Sequence, residues 1–458
     1  MNRSKNIYFI GIGGIGMSAL ARYFRHEGRN VAGYDRVWSE LSARLEEENI
    51  PVHYEDDPGL IPPAFRNPAD TTVVYTPAVP ADHMELNWFR DNGFEVVKRS
   101  KMLGLLSEGK FVMAVAGTHG KTTTSTMAAW FNSRGAGEGS AFLGGVSRNF
   151  GTNMVLGEGD RLVVEADEFD RSFLQLHPQA ALVTSADADH LDIYGDHGRL
   201  KDAFQAFVGQ IPPGGTLILN SGADLNLVRC RINIFTYSLD HRSTDFHARN
   251  IKLADGGRYT FDIVTPDEVI EKCTLGIPGL INVENCVGAV ALVSVRGYDR
   301  DNLREAIRTF SGVARRFDFR VNTPAAVYMD DYAHHPRELE AMITSVRSMF
   351  PHRHLTVAFQ PHLYTRTRDF APGFAAALSL ADRVLMLPIY PARELPIEGV
   401  TSEMILKDIT AEKEMVEKDR LAMSIEDLDT DIVVTAGAGD IDRLCGDVER
   451  VIRNKVGK

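Results

Sequence analysis

No apolar run in this sequence of 458 residues is long enough to span a bilayer, which takes about 20 consecutive residues. A membrane-spanning helix is therefore not expected. Cysteine is scarce and scattered, at Cys230, Cys273, Cys286 and Cys445, with no Cys-x-x-Cys pair. These read as reduced, mostly buried thiols of a cytoplasmic protein. Basic residues are in the minority and the formal net charge is −12, which argues against general nucleic-acid binding. Small polyanions remain admissible ligands, because a local loop and a few cations suffice to hold them. Low-complexity tracts are absent as well. A hydrophobic content of 44% and a charged content of 24% describe an ordinary soluble protein, and the length predicts about three domains.

Against these absences stands Ala116-Gly117-Thr118-His119-Gly120-Lys121-Thr122-Thr123-Thr124. It follows the apolar run Phe111–Val115 and precedes Ser125–Phe131, which reads as a helix. Strand, glycine turn, Lys-Thr and helix N-terminus make a phosphate cradle. Backbone N–H groups and the helix dipole face the anion, Lys121 reaches the terminal phosphates, and the Thr122 hydroxyl suits Mg²⁺. The expectation is a bound nucleoside triphosphate.

A second glycine loop lies near the N-terminus. The strand Ile7–Ile10 leads into Gly11-Ile12-Gly13-Gly14-Ile15-Gly16, a helical run from Met17, and a second strand Asn30–Tyr34 ending at Asp35. This is the dinucleotide fingerprint with its acid about 20 positions on. Alone it points to a dehydrogenase. Arg3, Lys5 and Ala19-Leu20-Ala21 also imitate a secretory signal, but the glycine spacing and the punctual second strand argue against that reading.

Strands and helices alternate to about residue 106, with Thr72–Tyr75 and Glu95–Val97 as further strands and Ser107–Lys110 as a linker. The central segment continues with strands at Arg161–Glu165, Ala180–Thr184 and Thr216–Leu219 and helices at Asn282–Val295 and Asp301–Phe310. The alternating pattern around Tyr259–Val264 predicts an added antiparallel piece. After Ser311-Gly312 the rhythm restarts, with strands at Ala326–Met329, His354–Phe359, Arg383–Pro388 and Asp431–Thr435.

Chemistry concentrates where these strands end. Glu165-Ala166-Asp167-Glu168 and Asp187-Ala188-Asp189-His190-Leu191-Asp192 close two strands of the sheet that carries the phosphate loop. Magnesium prefers hard oxygen ligands and bridges phosphates, which suits Thr122 and Glu165, with a second ion near His190. Zinc at Asp189-His190-x-Asp192 with His197 is the competing reading, but it lacks helical histidine spacing and a cysteine partner. In the last segment, Asp330-Asp331-Tyr332-Ala333-His334-His335-Pro336 and Gln360-Pro361-His362-Leu363-Tyr364-Thr365-Arg366-Thr367-Arg368 end successive strands and line one crevice. Guanidinium forks there suit carboxylate or phosphate oxygens.

Taken in order, these motifs resemble the Mur-type ATP-dependent amide ligases. The likeness also takes in Pro-Gly-x-x-Asn-x-x-Asn at 278–285 and Arg-Arg-Phe at 315–317, and it covers essentially the whole chain. The fold it implies is α/β in three domains. These are a Rossmann-like UDP-sugar-binding domain over 1–106, a central P-loop ATPase-like domain with a mainly parallel sheet over 107–312, and a Rossmann-like amino-acid-binding domain over 313–458.

The function it implies is ATP-dependent joining of L-alanine to the lactyl carboxylate of UDP-N-acetylmuramate through an acyl phosphate. It also implies ATP and Mg²⁺ as cofactors, and a monomer or weak homodimer. By that resemblance the N-terminal fingerprint holds UDP, not NAD, through Gly13, Gly14, Ile15 and Gly16, with Asp35 and Thr76 near the uridine. ATP falls to Gly117, Thr118, His119, Gly120, Lys121, Thr122, Thr123, Asn282, Asn285, Arg316 and Asp331. Tyr332, His334 and Arg366 hold the alanine, and His119 sits between the nucleotide and sugar-nucleotide sites. Metal falls to Thr122, Glu165 and His190, and catalysis to Lys121, Glu165, His190, His334 and Arg366. His190 and His334 are both candidates to accept the amine proton.

The chain departs from the family pattern in having Ile281 before the first Asn of the Pro-Gly motif and Leu363 in the Gln-Pro-His motif. Gln205 stands where several relatives carry a modified lysine, so none is expected here. Three rivals remain: a ligase for a recycled tripeptide, a nicotinamide-dependent oxidoreductase, and a non-catalytic nucleotide sensor.

Overall fold

The computed structural model describes residues 4–135, 139–187, 194–227, 231–254, 257–392, 394–429 and 431–456. The chain divides into two compact units. The first comprises 1–249, 262–273 and 284–310, and the second 250–261, 274–283 and 311–458.

The first unit opens with five short strands, β1 (Asn6–Ile10), β2 (Asn30–Tyr34), β3 (Val52–His53), β4 (Thr71–Tyr75) and β5 (Glu95–Lys98). They form a parallel sheet in the order β3-β2-β1-β4-β5. The order reverses between β1 and β4, and a crevice opens beyond the carboxyl ends of strands at such a point. Gly11 follows β1 there with φ +86°. A Cβ on it would lie 2.7 Å from Thr76 Cγ2, so only glycine fits beside the β4 exit.

The second sheet is built on β6 (Phe111–Ala116), β7 (Ser140–Phe142), β8 (Met154–Val155), β9 (Arg161–Glu165), β10 (Ala180–Val183), β11 (Thr216–Asn220) and β12 (Asn233–Ser238). With β13 (Phe246–Leu253), β14 (Tyr259–Val264) and β15 (Val269–Thr274) the order is β15-β14-β13-β12-β11-β10-β6-β9-β7-β8. β6 lies parallel between β9 and β10, so the loop after β6 emerges between two strand ends. β6, β9 and β10 are buried along nearly their whole length, as near-continuous apolar runs of a parallel sheet require. Ile7 and Phe9 from the first sheet and Met102 from the helix Arg99–Ser107 share one apolar core with Val112, Val164, Ala181 and Leu217 from the second sheet. Tyr23 packs on Phe142 across that seam, with ring centroids 5.8 Å apart. The Asn153 amide donates to the Ile15 carbonyl, and Arg22 donates to Asn153 at 2.7 Å.

A buried polar knot fixes the helix Met84–Asp91 against the first sheet. Tyr8 donates to Glu85 Oε2 at 2.8 Å and lies 2.7 Å from His53 Nε2, while Glu85 Oε1 is 3.2 Å from that nitrogen. His53 Nδ1 faces the Glu55 carbonyl at 3.0 Å, which makes it the protonated nitrogen. The triangle of Tyr8, His53 and Glu85 then has one hydrogen for three contacts, and a proton on Glu85 supplies a second. Burial, opposed by the Tyr8 hydrogen bond, pushes the Glu85 carboxyl up to about 8.

A carboxyl raised this way stabilises the fold fully below its unfolded value near 4.5 and loses that contribution as pH rises through about 8. Glu85→Gln is therefore expected to gain on the parent chain with rising pH over that window, by up to about 1.4 kcal/mol per pH unit. Paired melting curves at pH 5 and pH 8.5 test it. An equal difference at both values refutes it.

The second unit holds a third sheet of β16 (Asp318–Asn322), β17 (Val327–Asp331), β18 (Leu355–Phe359), β19 (Arg383–Met386), β20 (Glu412–Met415) and β21 (Ile432–Ala436). Its order is β16-β17-β21-β18-β19-β20, parallel except for β16 on β17. Apolar clusters cover both faces, around Met329, Val357 and Val434 on one and Tyr328, Ala358 and Val433 on the other.

Candidate active site

In the first unit the turn after β6 is made by Gly117 at φ +133° and Gly120 at φ +77°, and Lys121 opens the helix Lys121–Gly135. Lys121 Nζ donates to the Gly117 carbonyl at 2.6 Å and to Glu168 Oε1 at 2.9 Å, with Glu168 Oε2 at 2.7 Å. The Glu168 side chain is wholly buried. Burial lowers the lysine's proton affinity, but Glu168, Asp167 and Glu165 outweigh it and the net shift is upward. Lys121 is thus a fixed cation that carboxylates hold at the loop. The Tyr194 hydroxyl donates to the Glu168 carbonyl at 2.6 Å and steadies that arm.

Around this cation the loop is braced by the end of β10. Ser185 Oγ lies 2.7 Å from Thr118 Oγ1 and accepts from the His119 N–H at 3.0 Å. His119 Nε2 lies 3.8 Å from Asp187 Oδ2. Thr122 Oγ1 donates to Glu165 Oε1 at 3.1 Å, while Glu165 Oε2 accepts from the Gly144 N–H at 3.0 Å. A hydroxyl and a carboxylate at that spacing form a hard-oxygen pair that fits a magnesium ion. Asn285 Oδ1 accepts from Thr124 Oγ1 at 3.3 Å and stands 2.8 Å from where a Gly120 Cβ would be. Thr123 is buried. His190 lies outside the described residues. Among the described residues no cluster of three or more His, Cys, Asp or Glu side chains has metal-holding geometry. His197 Nε2 meets the Ala186 carbonyl at 2.7 Å.

The fingerprint loop is built as expected. Gly14 is the N-cap of the helix Ile15–His26, with no side-chain cap and no acid in the first turn, so Ile15 and Gly16 present a bare helix start. Gly13 N–H donates to Asp35 Oδ2 at 2.8 Å, which ties the β2 exit to the loop.

In the second unit, the carboxylate of Asp331 ends β17 and accepts from the Phe317 and Ala333 N–H groups, each at 2.7 Å. Burial raises it to about 6 against the pull of Arg316 and those two bonds. Of the adjacent arginines, Arg315 is used internally, on Asp330 at 3.3 Å, Asp442 at 3.2 Å and the Gly437 carbonyl at 2.7 Å. Arg316 instead lies over the Tyr332 ring, 4.6 Å from its centroid. His334 Nδ1 is 2.9 Å from the Tyr332 carbonyl, and its ring lies 6.0 Å from His362. Arg366 Nη1 lies 3.4 Å from His362 Nδ1. Asn282 donates to the Pro278 carbonyl at 2.7 Å. Ile281 is exposed, whereas Leu363 is buried and caps the helix Tyr364–Leu378 at φ +70°, ψ 138°. That backbone region is nearly reserved for glycine, and strain of this kind gathers at functional sites.

Two contributors escaped the reading of the sequence. Ser185 stands just before the acidic motif as an ordinary hydroxyl, yet it carries the His119 turn. Arg99, first residue of the helix Arg99–Ser107, reaches both Gly16 and Asp167. The only local signal for it was a basic residue between a strand and a helix.

Three family models match in succession: "Mur ligase family, catalytic domain" over residues 6–111, "Mur ligase middle domain" over 115–293, and "Mur ligase, glutamate ligase domain" over 315–439. The UDP-N-acetylmuramate–L-alanine ligase of Porphyromonas gingivalis is 48% identical over 98% of this chain and 99% of its own. Its counterpart in Phocaeicola vulgatus is 46% identical over 97% and 98%. Among solved structures, the UDP-N-acetylmuramate–alanine ligase of Thermotoga maritima superposes with a TM-score of 0.83 at 27% identity, covering 99% of this chain and 100% of that one. A murein peptide ligase from Psychrobacter arcticus, with a TM-score of 0.71 and 22% identity over 98% and 99%, shares the fold.

Proposed function

The chain belongs to the Mur ligase family, and on that premise we propose that it joins L-alanine to UDP-N-acetylmuramate with ATP as the driving reagent, in peptidoglycan precursor synthesis in the cytoplasm. The observation that carries the reading is the buried pairing of Lys121 with Glu168 at the phosphate loop, beside the Thr122–Glu165 pair. A carboxylate is a poor electrophile. Its oxygen attacks the γ-phosphorus of ATP, ADP leaves, and an acyl phosphate results. The amine of L-alanine then attacks the acyl carbon, phosphate departs with the bonding pair, and the nitrogen gives its proton to a base, for which His190 and His334 are the candidates. Lys121, held at the loop by its hydrogen bonds, stabilises charge on the transferring phosphoryl group. A magnesium ion held by Thr122 and Glu165 would add charge neutralisation there when bound.

The remaining roles are assigned on the same basis. Gly13, Gly14, Ile15 and Gly16 receive the pyrophosphate of the sugar nucleotide, with Asp35 and Thr76 toward its uridine. Asn282, Asn285, Arg316 and Asp331 serve ATP, and Tyr332, His334 and Arg366 the amino acid. His190 stays assigned to metal and His119 to the region between the nucleotides. The segments 1–106, 107–312 and 313–458 act as three functional modules.

The test is ADP release from ATP with UDP-N-acetylmuramate, with and without L-alanine. Release that requires both is the expected result. Release only with a tripeptide acceptor, or none, overturns the proposal.

A further inference from the structure

We infer that Arg99 is the cation that grips the pyrophosphate of the sugar nucleotide, and that Asp167 holds this arginine in place until the nucleotide arrives. The inference rests on the assignment of the fingerprint loop to a nucleotide diphosphate made above. The guanidinium lies against the bare start of the Ile15–His26 helix. A Cβ on Gly16 would stand 2.7 Å from Arg99 Nη1, 3.3 Å from its Cδ and 3.4 Å from its Cζ. The missing side chain at Gly16 is therefore what admits the guanidinium to the cradle. A helix N-terminus alone supplies N–H groups and a partial positive charge. A diphosphate also needs full counter-charge, and a planar fork of donors matches its oxygens two at a time.

The counter-charge of Arg99 is Asp167 Oδ2, at 3.7 Å and thus beyond hydrogen-bonding length. The other oxygen, Asp167 Oδ1, accepts from the Phe169 N–H at 3.1 Å. Asp167 is 38% exposed, against 21% for Arg99. The pair is loose, half-wet and easily exchanged for a more highly charged partner.

Its placement is not left to side-chain chance. Gly104, one turn and a half along the same helix, lies against the Gln175 carbonyl so closely that a Cβ could not be accommodated. That contact locks the Arg99–Ser107 helix onto the 3₁₀ segment Phe169–Gln175, which begins two residues after Asp167. Arg99 is therefore pinned between the sugar-nucleotide cradle and the carboxylate-bearing end of β9. When the diphosphate arrives, the guanidinium exchanges its loose contact with Asp167 for the phosphate oxygens.

The two members of the pair should respond to mutation in opposite directions. Titrating UDP into the full chain by calorimetry, Arg99→Ala is expected to weaken binding about tenfold or more. Arg99→Lys should recover part of that loss, since a point charge replaces a fork. Asp167→Asn keeps an acceptor for Phe169 yet releases the arginine, so UDP should bind at least about twofold tighter. ADP with magnesium is the control, and Arg99→Ala should leave its affinity unchanged. Equal UDP affinity in parent and Arg99→Ala overturns the inference while leaving the cradle intact. Weaker UDP binding in Asp167→Asn, or loss of ADP together with UDP in Arg99→Ala, overturns it by showing a merely structural role. No UDP binding by the parent chain overturns the cradle assignment itself.

Discussion

Lys121→Ala is expected to lower turnover at least a hundredfold, read as ADP release at saturating substrates. Removing one preorganised charge-stabilising donor from a transferring group costs about 2.7–4 kcal/mol of barrier. The structure adds a second consequence. Lys121 neutralises Glu168, whose side chain is wholly enclosed, and stripping one partner from a buried ion pair destabilises by about 3–5 kcal/mol. The alanine variant should therefore melt at a lower temperature as well as turn over slowly. Lys121→Ala combined with Glu168→Gln separates the two effects, because it removes the stranded charge. Stability should return in the double variant and activity should not. Recovery of turnover there would take Lys121 out of the chemistry.

Asp331→Ala is expected to be nearly as severe, through a different route. Two backbone N–H groups end on this carboxylate, and each buried donor left without a partner costs about 1–3 kcal/mol. One of them belongs to Phe317, which the chain holds at φ +51°. Losing its acceptor frees the Arg315–Phe317 turn and with it the position of Arg316 over Tyr332. Loss of stability together with a raised KM for ATP is the expected pair of readouts.

The wild-type carboxyl also dictates a pH profile. Held at about 6 by burial, it accepts both bonds more strongly when ionised, so activity should fall as pH drops through 6. The stability sign is opposite. A raised acid contributes most below its unfolded value of 3.8 and loses that contribution as pH rises through about 6. Asp331→Asn offers one oxygen instead of two and should flatten the acid limb. An unchanged limb in that variant would assign it to another group.

How much of this was legible before the structure follows from the range of the interactions. The phosphate loop is a local object. A strand, two glycines, a lysine and a threonine specify it between Phe111 and Thr122, and the structure reproduces it with Lys121 opening the helix. Strand ends were readable for the same reason, and β9, β10 and β11 fall where their apolar runs place them. Short edge strands such as β3, β8 and β20 carry too few residues to show a period. Arg99 and Asp167 are brought together by long-range packing such as that of Gly104 on Gln175, and no window of sequence spans that. Leu363 illustrates a different limit. Its side chain gave a substitution in a motif, but its backbone strain is imposed by the Leu363 N–H donating to the Tyr390 carbonyl, a partner 27 positions away.

The apolar seam between the first two sheets has a consequence for how this chain can be taken apart. A fragment ending near residue 107 would carry the whole fingerprint loop, yet Ile7, Phe9, Met102 and Leu103 would lose the side chains that cover them. Such a piece should clump on its own, and a chimera grafting a foreign opening third onto this body would meet a mismatched wall. The smallest portion that engineering or evolution can exchange intact is therefore the doublet of sheets, even though sequence models recognise its halves separately.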